Sequence, residues 1–265
     1  MLIETLGTGG MGKVYMARDT RLNQFVALKL WRKDFASTAD QKKQLREEAR
    51  VAASVGHSNV VQIFSCGIDH GQFYLVMELV DHGSLDELIE RHQRLPEAQV
   101  LTTGIQIARG LQAAHAKGLL HHDVKPSNIL FNAENMAKIS DFDLAGVVAQ
   151  SRGKREIWGT PYYVAPERLN DEPEDLTSDV YSLGASLFHA VAGKAPIEGE
   201  TNSTVTLIEL KNQPLQLAKI VPEVSDATAR ILHRMMAPHP ADRFCSYEEL
   251  LTELEQAYAS LGPTR

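Results

Sequence analysis

Two short segments constrain this chain more than anything else in it. His121-His122-Asp123-Val124-Lys125-Pro126-Ser127-Asn128 and Asp141-Phe142-Asp143 supply two carboxylates, an amide and an ammonium, and a fold that uses them must bring the segments together. That set is what a site needs to hold Mg²⁺ and to move a phosphoryl group to a hydroxyl. A Gly-rich stretch, Gly7-Thr8-Gly9-Gly10-Met11-Gly12-Lys13-Val14, and a lysine in Val26-Ala27-Leu28-Lys29 precede them.

At 265 residues the chain is long enough for one large or two modest globular units with a real core. Its formal net charge of −7 and its dispersed basic residues argue against a nucleic-acid stripe or a polybasic membrane patch. No apolar run approaches the ~18 residues of a membrane span. Met1-Leu2-Ile3-Glu4 lacks the basic-then-apolar layout of a signal peptide, so a cytoplasmic location is expected. Cys66 and Cys245 have no zinc or redox spacing and read as reduced core thiols.

The first stretch reads as strands. Leu2 to Leu6, Val14 to Arg18 and Phe25 to Trp31 carry β-branched or aromatic residues between glycines and the Asp19-Thr20-Arg21-Leu22-Asn23 turn. Asp40 to Val55 has helical spacing, with Leu45, Ala49, Ala52 and Ala53 on one face and Gly56 as the stop. Val60 to Phe64 and Phe73 to Val80 resume strand character before Asp81-His82-Gly83 breaks it. Helices follow: Ser84-Leu85-Asp86-Glu87 and Ser246-Tyr247-Glu248-Glu249 fit the capping box, and Pro96 suits the first turn of a long helix toward His115.

The Gly-rich stretch satisfies several fingerprints. Gly7, Gly9 and Gly12 fit the dinucleotide pattern, and Gly7 with Gly12-Lys13 nearly fits the P-loop. A P-loop needs Ser or Thr after its lysine, however, and Val14 cannot hold Mg²⁺; both patterns also need a helix where Val14-Tyr15-Met16 reads as a strand. A glycine hairpin remains, whose backbone amides can approach phosphates without a Cβ in the way. Lys29 follows it, and Glu48 lies beside the apolar stripe of the next helix, so an ion pair between strand and helix is possible; Glu47 points away from that stripe.

In this order the motifs resemble a protein kinase of the eukaryotic-like kind found in bacteria. Gly159-Thr160-Pro161-Tyr162-Tyr163-Val164-Ala165-Pro166-Glu167 looks like the end of an activation segment. Ser178-Asp179-Val180-Tyr181-Ser182-Leu183-Gly184 and Ala241-Asp242-Arg243-Phe244 extend the likeness almost end to end. The resemblance implies an α+β, bilobal fold: a small, mainly antiparallel β lobe with one key helix over residues 1–80, and a larger, mainly α lobe over 81–265. It implies ATP with Mg²⁺, or alternatively Mn²⁺. Lys29 would hold the α- and β-phosphates with Glu48 orienting it, Asp123 would be the base, Lys125 would balance phosphoryl charge, and Asn128 and Asp141 would hold the metal. Gly7, Thr8, Gly9, Gly10, Met11, Gly12 and Val14 would cover the nucleotide, with Ala27, Met77, Glu78, Val80 and Leu130 around the adenine. Thr160 would bond toward Asp123 and Lys125, Glu167 would pair with Arg243, and Asp179 would support the catalytic loop. Lysine two residues after the base resembles the Ser/Thr-directed subgroup, so the partners implied are proteins with Ser or Thr acceptors, the chain itself among them.

Two departures limit the transfer. His122 stands where the family usually has the arginine that grips an activation-loop phosphate, and imidazole, with an ordinary pKa near ~6.5, grips one weakly at neutral pH. Between Asp143 and Thr160 the only hydroxyl is Ser151, followed by Arg152, Lys154 and Arg155, which suggests activity without loop phosphorylation. Asp143 replaces the usual glycine, either as a variant that stiffens the loop or as an additional metal-facing carboxylate. An ATP-binding scaffold without turnover is the alternative these departures support. A small-molecule phosphotransferase would not be expected to carry Gly159 to Glu167, and a nucleotide-dependent oxidoreductase fails on the strand after Gly12.

Overall fold

Short β-branched and aromatic runs gain their stability only by pairing, and here each meets a neighbour across a tight turn. The computed structural model describes residues 1–9, 12–33, 38–142, 161–197 and 203–262. Strands β1 (Leu2–Gly9), β2 (Gly12–Asp19), β3 (Gln24–Trp31), β4 (Ile63–Asp69) and β5 (Gln72–Met77) form one antiparallel sheet in the order β1-β2-β3-β5-β4. The β2–β3 turn is held by Asp19, whose Oδ1 accepts from the amides of Arg21 and Leu22 at 2.8 and 3.1 Å. Register sets Lys29 opposite Val14 and Leu75, and Ala27 opposite Met16 and Met77. Ala27 and Lys29, two apart on one strand, therefore share a face.

Helix α1 (Ala39–Ala53) packs on β4 with Leu45, Ala49 and Ala52 buried and Ala53 half-buried. A capping box that the sequence reading did not foresee starts it, Thr38 and Gln41 each accepting from the other's amide. Its stop is not Gly56: the Ser54 amide bonds back to Arg50 and Val51 and its hydroxyl to the Val51 carbonyl at 2.7 Å, closing the helix before the glycine. The expected strand from Val60 to Phe64 begins instead at Ile63. Val60 and Val61 are buried at a junction with the second lobe, where the Val61 amide reaches the Ile139 carbonyl at 2.9 Å and the Ile139 amide reaches the Asn59 carbonyl at 2.9 Å. Long-range pairing has overridden local strand propensity there.

The second lobe is helical. It holds α2 (Leu85–His92), α3 (Glu97–His115), a hairpin of β6 (Ile129–Phe131) and β7 (Ala137–Ile139), α4 (Pro166–Leu169), α5 (Leu176–Ala192), α6 (Thr204–Lys211), α7 (Leu217–Ile220), α8 (Asp226–Met235) and α9 (Tyr247–Ser260). In α5 every residue but Leu176 and His189 is buried, as a helix apolar nearly all round must be. Its buried Ser182 and Ser186 hydroxyls donate to the carbonyls one turn back at 3.0 and 2.8 Å. Gly184 lets α8 approach, since a Cβ there would meet Met235 Cβ at 2.7 Å. The Ser84 capping box is present, whereas Ser246 caps α9 without reciprocation. Glu249 gives its carboxylate to Arg234 at 2.6 Å and to the Cys245 amide at 3.2 Å. Cys245 is thus an exposed residue ahead of α9, not a core thiol, and Cys66 is half-buried.

Candidate active site

The β6–β7 hairpin is what joins the two informative segments. Ile129 pairs with Ile139, and the Ser140 amide and hydroxyl both donate to the Asn128 carbonyl, at 2.9 and 3.1 Å, so Asn128 and Asp141 flank the base of one hairpin. Asp179, buried near the start of α5, accepts from the amides of His121 and His122 at 2.7 and 2.8 Å and so fixes the loop that carries Asp123. His121 is fully buried, with its ring 4.6 Å from that of Phe142 and its Nε2 2.9 Å from the Ser140 carbonyl. Burial depresses the pKa of this ring against the pull of Asp179 and Asp123, so His121 acts as a neutral spacer between the loops.

Asp123 stands at the cleft. Lys125 Nζ donates to both of its carboxylate oxygens at 3.0 and 2.8 Å, and Asn128 Nδ2 donates to its Oδ2 at 3.0 Å and its carbonyl at 2.8 Å. With its amide nitrogen committed to Asp123, Asn128 has its Oδ1 left as an acceptor. Lys29 crosses from β3 to Asp141 Oδ1 at 2.9 Å, its ammonium also 5.0 Å from the centre of the Trp31 ring. Burial alone would raise the Asp141 carboxyl, but the Lys29 ammonium and its hydrogen bond hold it below the ordinary carboxylate range, so Asp141 is an anion across neutral pH.

The structure does not bring Glu48 to Lys29. Glu48 is half-buried and Glu47 exposed, as the helical count requires, but among the described residues the ion pair of Lys29 is with Asp141. Opposite charges at 2.9 Å in a partly buried cleft are screened less than they would be in open water, which favours the Lys29–Asp141 pair. Asp141 and His122 also take left-handed backbone conformations, at φ 61° and 64°. Such angles cost about 1–3 kcal/mol and persist where the surroundings over-determine them.

The adenine-side candidates converge on a small apolar cluster separate from the main core: Ala27, Val61 and Met77, with Val14, Val80 and Leu130 packed against them. Glu78 spends its amide on the Gln62 carbonyl at 2.8 Å, so its carbonyl is what it can offer a base. Its side chain pairs with Lys138 on β7 at 2.8 Å, a tie between lobes that the sequence reading missed because β7 is only three residues long. Gly7, Thr8 and Gly9 lie exposed at the end of β1 with open space where a Cβ would stand at either glycine. Gly12 has a structural reason instead, because a Cβ there would strike the Leu30 carbonyl. Gly10, Met11, Asp143, Ser151, Arg152, Lys154, Arg155, Gly159 and Thr160 lie outside the described residues.

Asn128 and Asp141 offer hard oxygen donors, the type that Mg²⁺ takes. Among the described residues no cluster of three or more His, Cys, Asp or Glu could cage a metal, so an ion here would complete its shell with phosphate and water oxygens. Behind the cleft, Glu167 and Arg243 are buried and joined by two parallel bonds, Nη1 to Oε1 at 2.7 Å and Nη2 to Oε2 at 2.8 Å.

The chain matches the protein kinase domain family over residues 1–254. It is 36% identical over 248 residues to the serine/threonine-protein kinase PknA of Mycobacterium tuberculosis, covering 91% of this chain and 57% of that protein. To PknB of Mycobacterium leprae it is 30% identical over 267 residues, covering 98% of this chain and 43% of that one. The kinase domain of M. tuberculosis PknI superposes with a TM-score of 0.78 at 26% identity, covering 98% of this chain and 95% of that domain. The chain spans about two-fifths of the length of curated relatives such as the probable serine/threonine-protein kinases of Clostridium perfringens and Corynebacterium efficiens.

Proposed function

This chain belongs to the protein kinase family, and from that premise we propose that it uses ATP and Mg²⁺ to phosphorylate Ser and Thr hydroxyls of proteins, its own among the possible acceptors. The observation that carries the reading is the convergence of Lys29, Asp123, Lys125, Asn128 and Asp141 within one run of hydrogen-bonded contacts. ATP supplies the phosphoryl group and Mg²⁺ neutralises its oxygens. Residues 1–80 serve as the nucleotide lobe, where Val14, Ala27, Met77, Val80 and Leu130 bury the base and the Glu78 carbonyl accepts from it. The amides at Gly7, Thr8, Gly9, Gly10, Met11 and Gly12 cover the phosphates.

Residues 81–265 carry the chemistry. Asn128 Oδ1 and the Asp141 carboxylate would hold the ion, and Lys29 would contact the phosphates, with Glu48 as the residue that would orient it. Asp123 orients the acceptor hydroxyl and takes its proton, while Lys125 offsets charge that grows on the transferred group. Thr160 positions the acceptor. Loop phosphorylation is not required, because His122 already has a carboxylate partner, Glu174, with its Nδ1–H donating to Oε2 at 3.0 Å. The setting is the cytoplasm, where ATP is supplied.

The test is transfer of label from ATP with Mg²⁺ to a generic acceptor protein, followed by identification of the modified amino acid. Label on Ser or Thr that vanishes in Asp123→Asn and Asp141→Asn and survives Ser151→Ala is expected. ATP binding without transfer would favour the scaffold reading, and loss of most activity in Ser151→Ala would overturn loop independence.

A further inference from the structure

His122 is held at three points by three different parts of the second lobe. Its amide donates to Asp179 Oδ1 at 2.8 Å, its ring donates to Glu174 Oε2 at 3.0 Å, and its carbonyl accepts from Arg168 Nη1. The same Arg168 nitrogen lies 3.9 Å from the same Glu174 oxygen, which closes the group on itself. The Glu174 side chain is only 6% exposed, and a carboxylate so far from water requires cationic or donor partners. His122 precedes Asp123 directly and holds a backbone angle, φ 64°, that an unrestrained histidine leaves. Whatever fixes His122 therefore fixes the direction in which Asp123 is presented.

We infer that Glu174 and Arg168 are positioning residues for Asp123, acting through the ring and the backbone of His122. The inference rests on the reading of Asp123 as the base. Arg168 supplies a permanent charge and His122 a conditional one. Burial would lower the pKa of this ring, but its hydrogen bond to Glu174 and the charges of Asp179 and Glu174 outweigh it and the opposing Arg168, and the net direction is upward. These are the charged groups that face the ring from α4, α5 and the segment between them, among the described residues. A group whose folded pKa is raised contributes fully below its ordinary value, and that contribution is lost as pH rises through the folded value. The clamp is thus tightest in mildly acidic solution and slackens on the alkaline side, where a neutral ring keeps the hydrogen bond but loses the charge. A misdirected base lowers kcat without changing how ATP is held.

The experiment has one part that needs no catalysis and one that does. In the nucleotide-free protein, the His122 ring, assigned with His122→Gln, is expected to titrate above ~6.5 and to titrate at lower pH in Glu174→Gln. The exchange protection of the His122 amide, corrected for intrinsic base catalysis, should fall through the same inflection. In phosphoryl transfer, Glu174→Gln should lower kcat about tenfold near neutral pH with KM for ATP unchanged. His122→Arg should erase the alkaline limb of kcat that the wild type shows. A ring that titrates alike in wild type and Glu174→Gln, or pH profiles of the same shape in wild type and His122→Arg, would overturn the inference. If no transfer is seen in any form, the kinase reading fails, and the ring titration with the amide protection still decides whether Glu174 governs this loop.

Discussion

Arg243 and Glu167 meet through two bonds at 2.7 and 2.8 Å, whereas Lys29 and Asp141 meet through one at 2.9 Å. The difference extends outward. The Arg243 guanidinium also donates to the carbonyls of Ala237, Thr177 and Pro238 at 2.8, 3.1 and 3.0 Å, lies over the Tyr181 ring, and is 0% exposed in its side chain. Glu167 takes a further bond from the Ser178 hydroxyl at 2.6 Å. Lys29 and Asp141 keep 15% and 31% of their side chains accessible. A buried planar fork with every donor engaged costs too much to open, while a single ammonium at a cleft can exchange one anion for another. The first pair is built as scaffold, and the second is open enough for the nucleotide-binding role we propose for it.

The comparison breaks most visibly at its buried end. Arg243→Ala leaves Glu167 as an uncompensated charge in the core, and a loss of about 3–5 kcal/mol, read by urea unfolding, is expected. Asp141→Asn should do the opposite: unfolding near that of the wild type, with phosphoryl transfer down by at least ~10²-fold. Chelation of Mg²⁺ should abolish transfer in the wild type.

A third cation sharpens the contrast. Lys211 is buried in α6 with its ammonium on the Tyr162 carbonyl at 3.1 Å and 5.1 Å from the centre of the Tyr181 ring, and among the described residues it forms no ion pair with a carboxylate. Burial pushes its pKa down to about 7 despite Glu167. Between that value and the ordinary one near ~10.4 the unfolded chain binds more protons than the folded one, so this group makes stability rise with pH. Lys211→Met should flatten that rise in unfolding free energy measured from pH 7 to pH 10. At the weak end, Arg109 and Glu255 pair at 2.8 Å with about half of each side chain in water, and Arg109→Ala should cost no more than ~1 kcal/mol.

Much of this was legible in the chain. The strands, the helix carrying Glu48 and the break at Asp81-His82-Gly83 follow from spacing and turn chemistry, and the segment carrying Asp123 and Asn128 stands out by the residue types it concentrates. The fold itself and the Glu167–Arg243 pair came with the family resemblance. What was illegible depends on long-range geometry. No local signal shows that Val60 and Val61 join the second lobe, that Lys138 reaches Glu78, or that Glu249 leaves its capping box for Arg234. Spacing points Lys29 toward Glu48, yet its partner is Asp141, more than a hundred residues away in sequence, and only the fold sets that approach.

The exchange of partners at Lys29 is tested most directly by thermal unfolding of wild type and Lys29→Met with and without saturating MgATP. The account predicts that Lys29→Met melts within a few degrees of the wild type when free of nucleotide, about 1 kcal/mol at most, and loses most of the upward shift that MgATP gives the wild type. A Lys29→Met protein that melts as low as Arg243→Ala, or one that keeps the full MgATP shift, would contradict it.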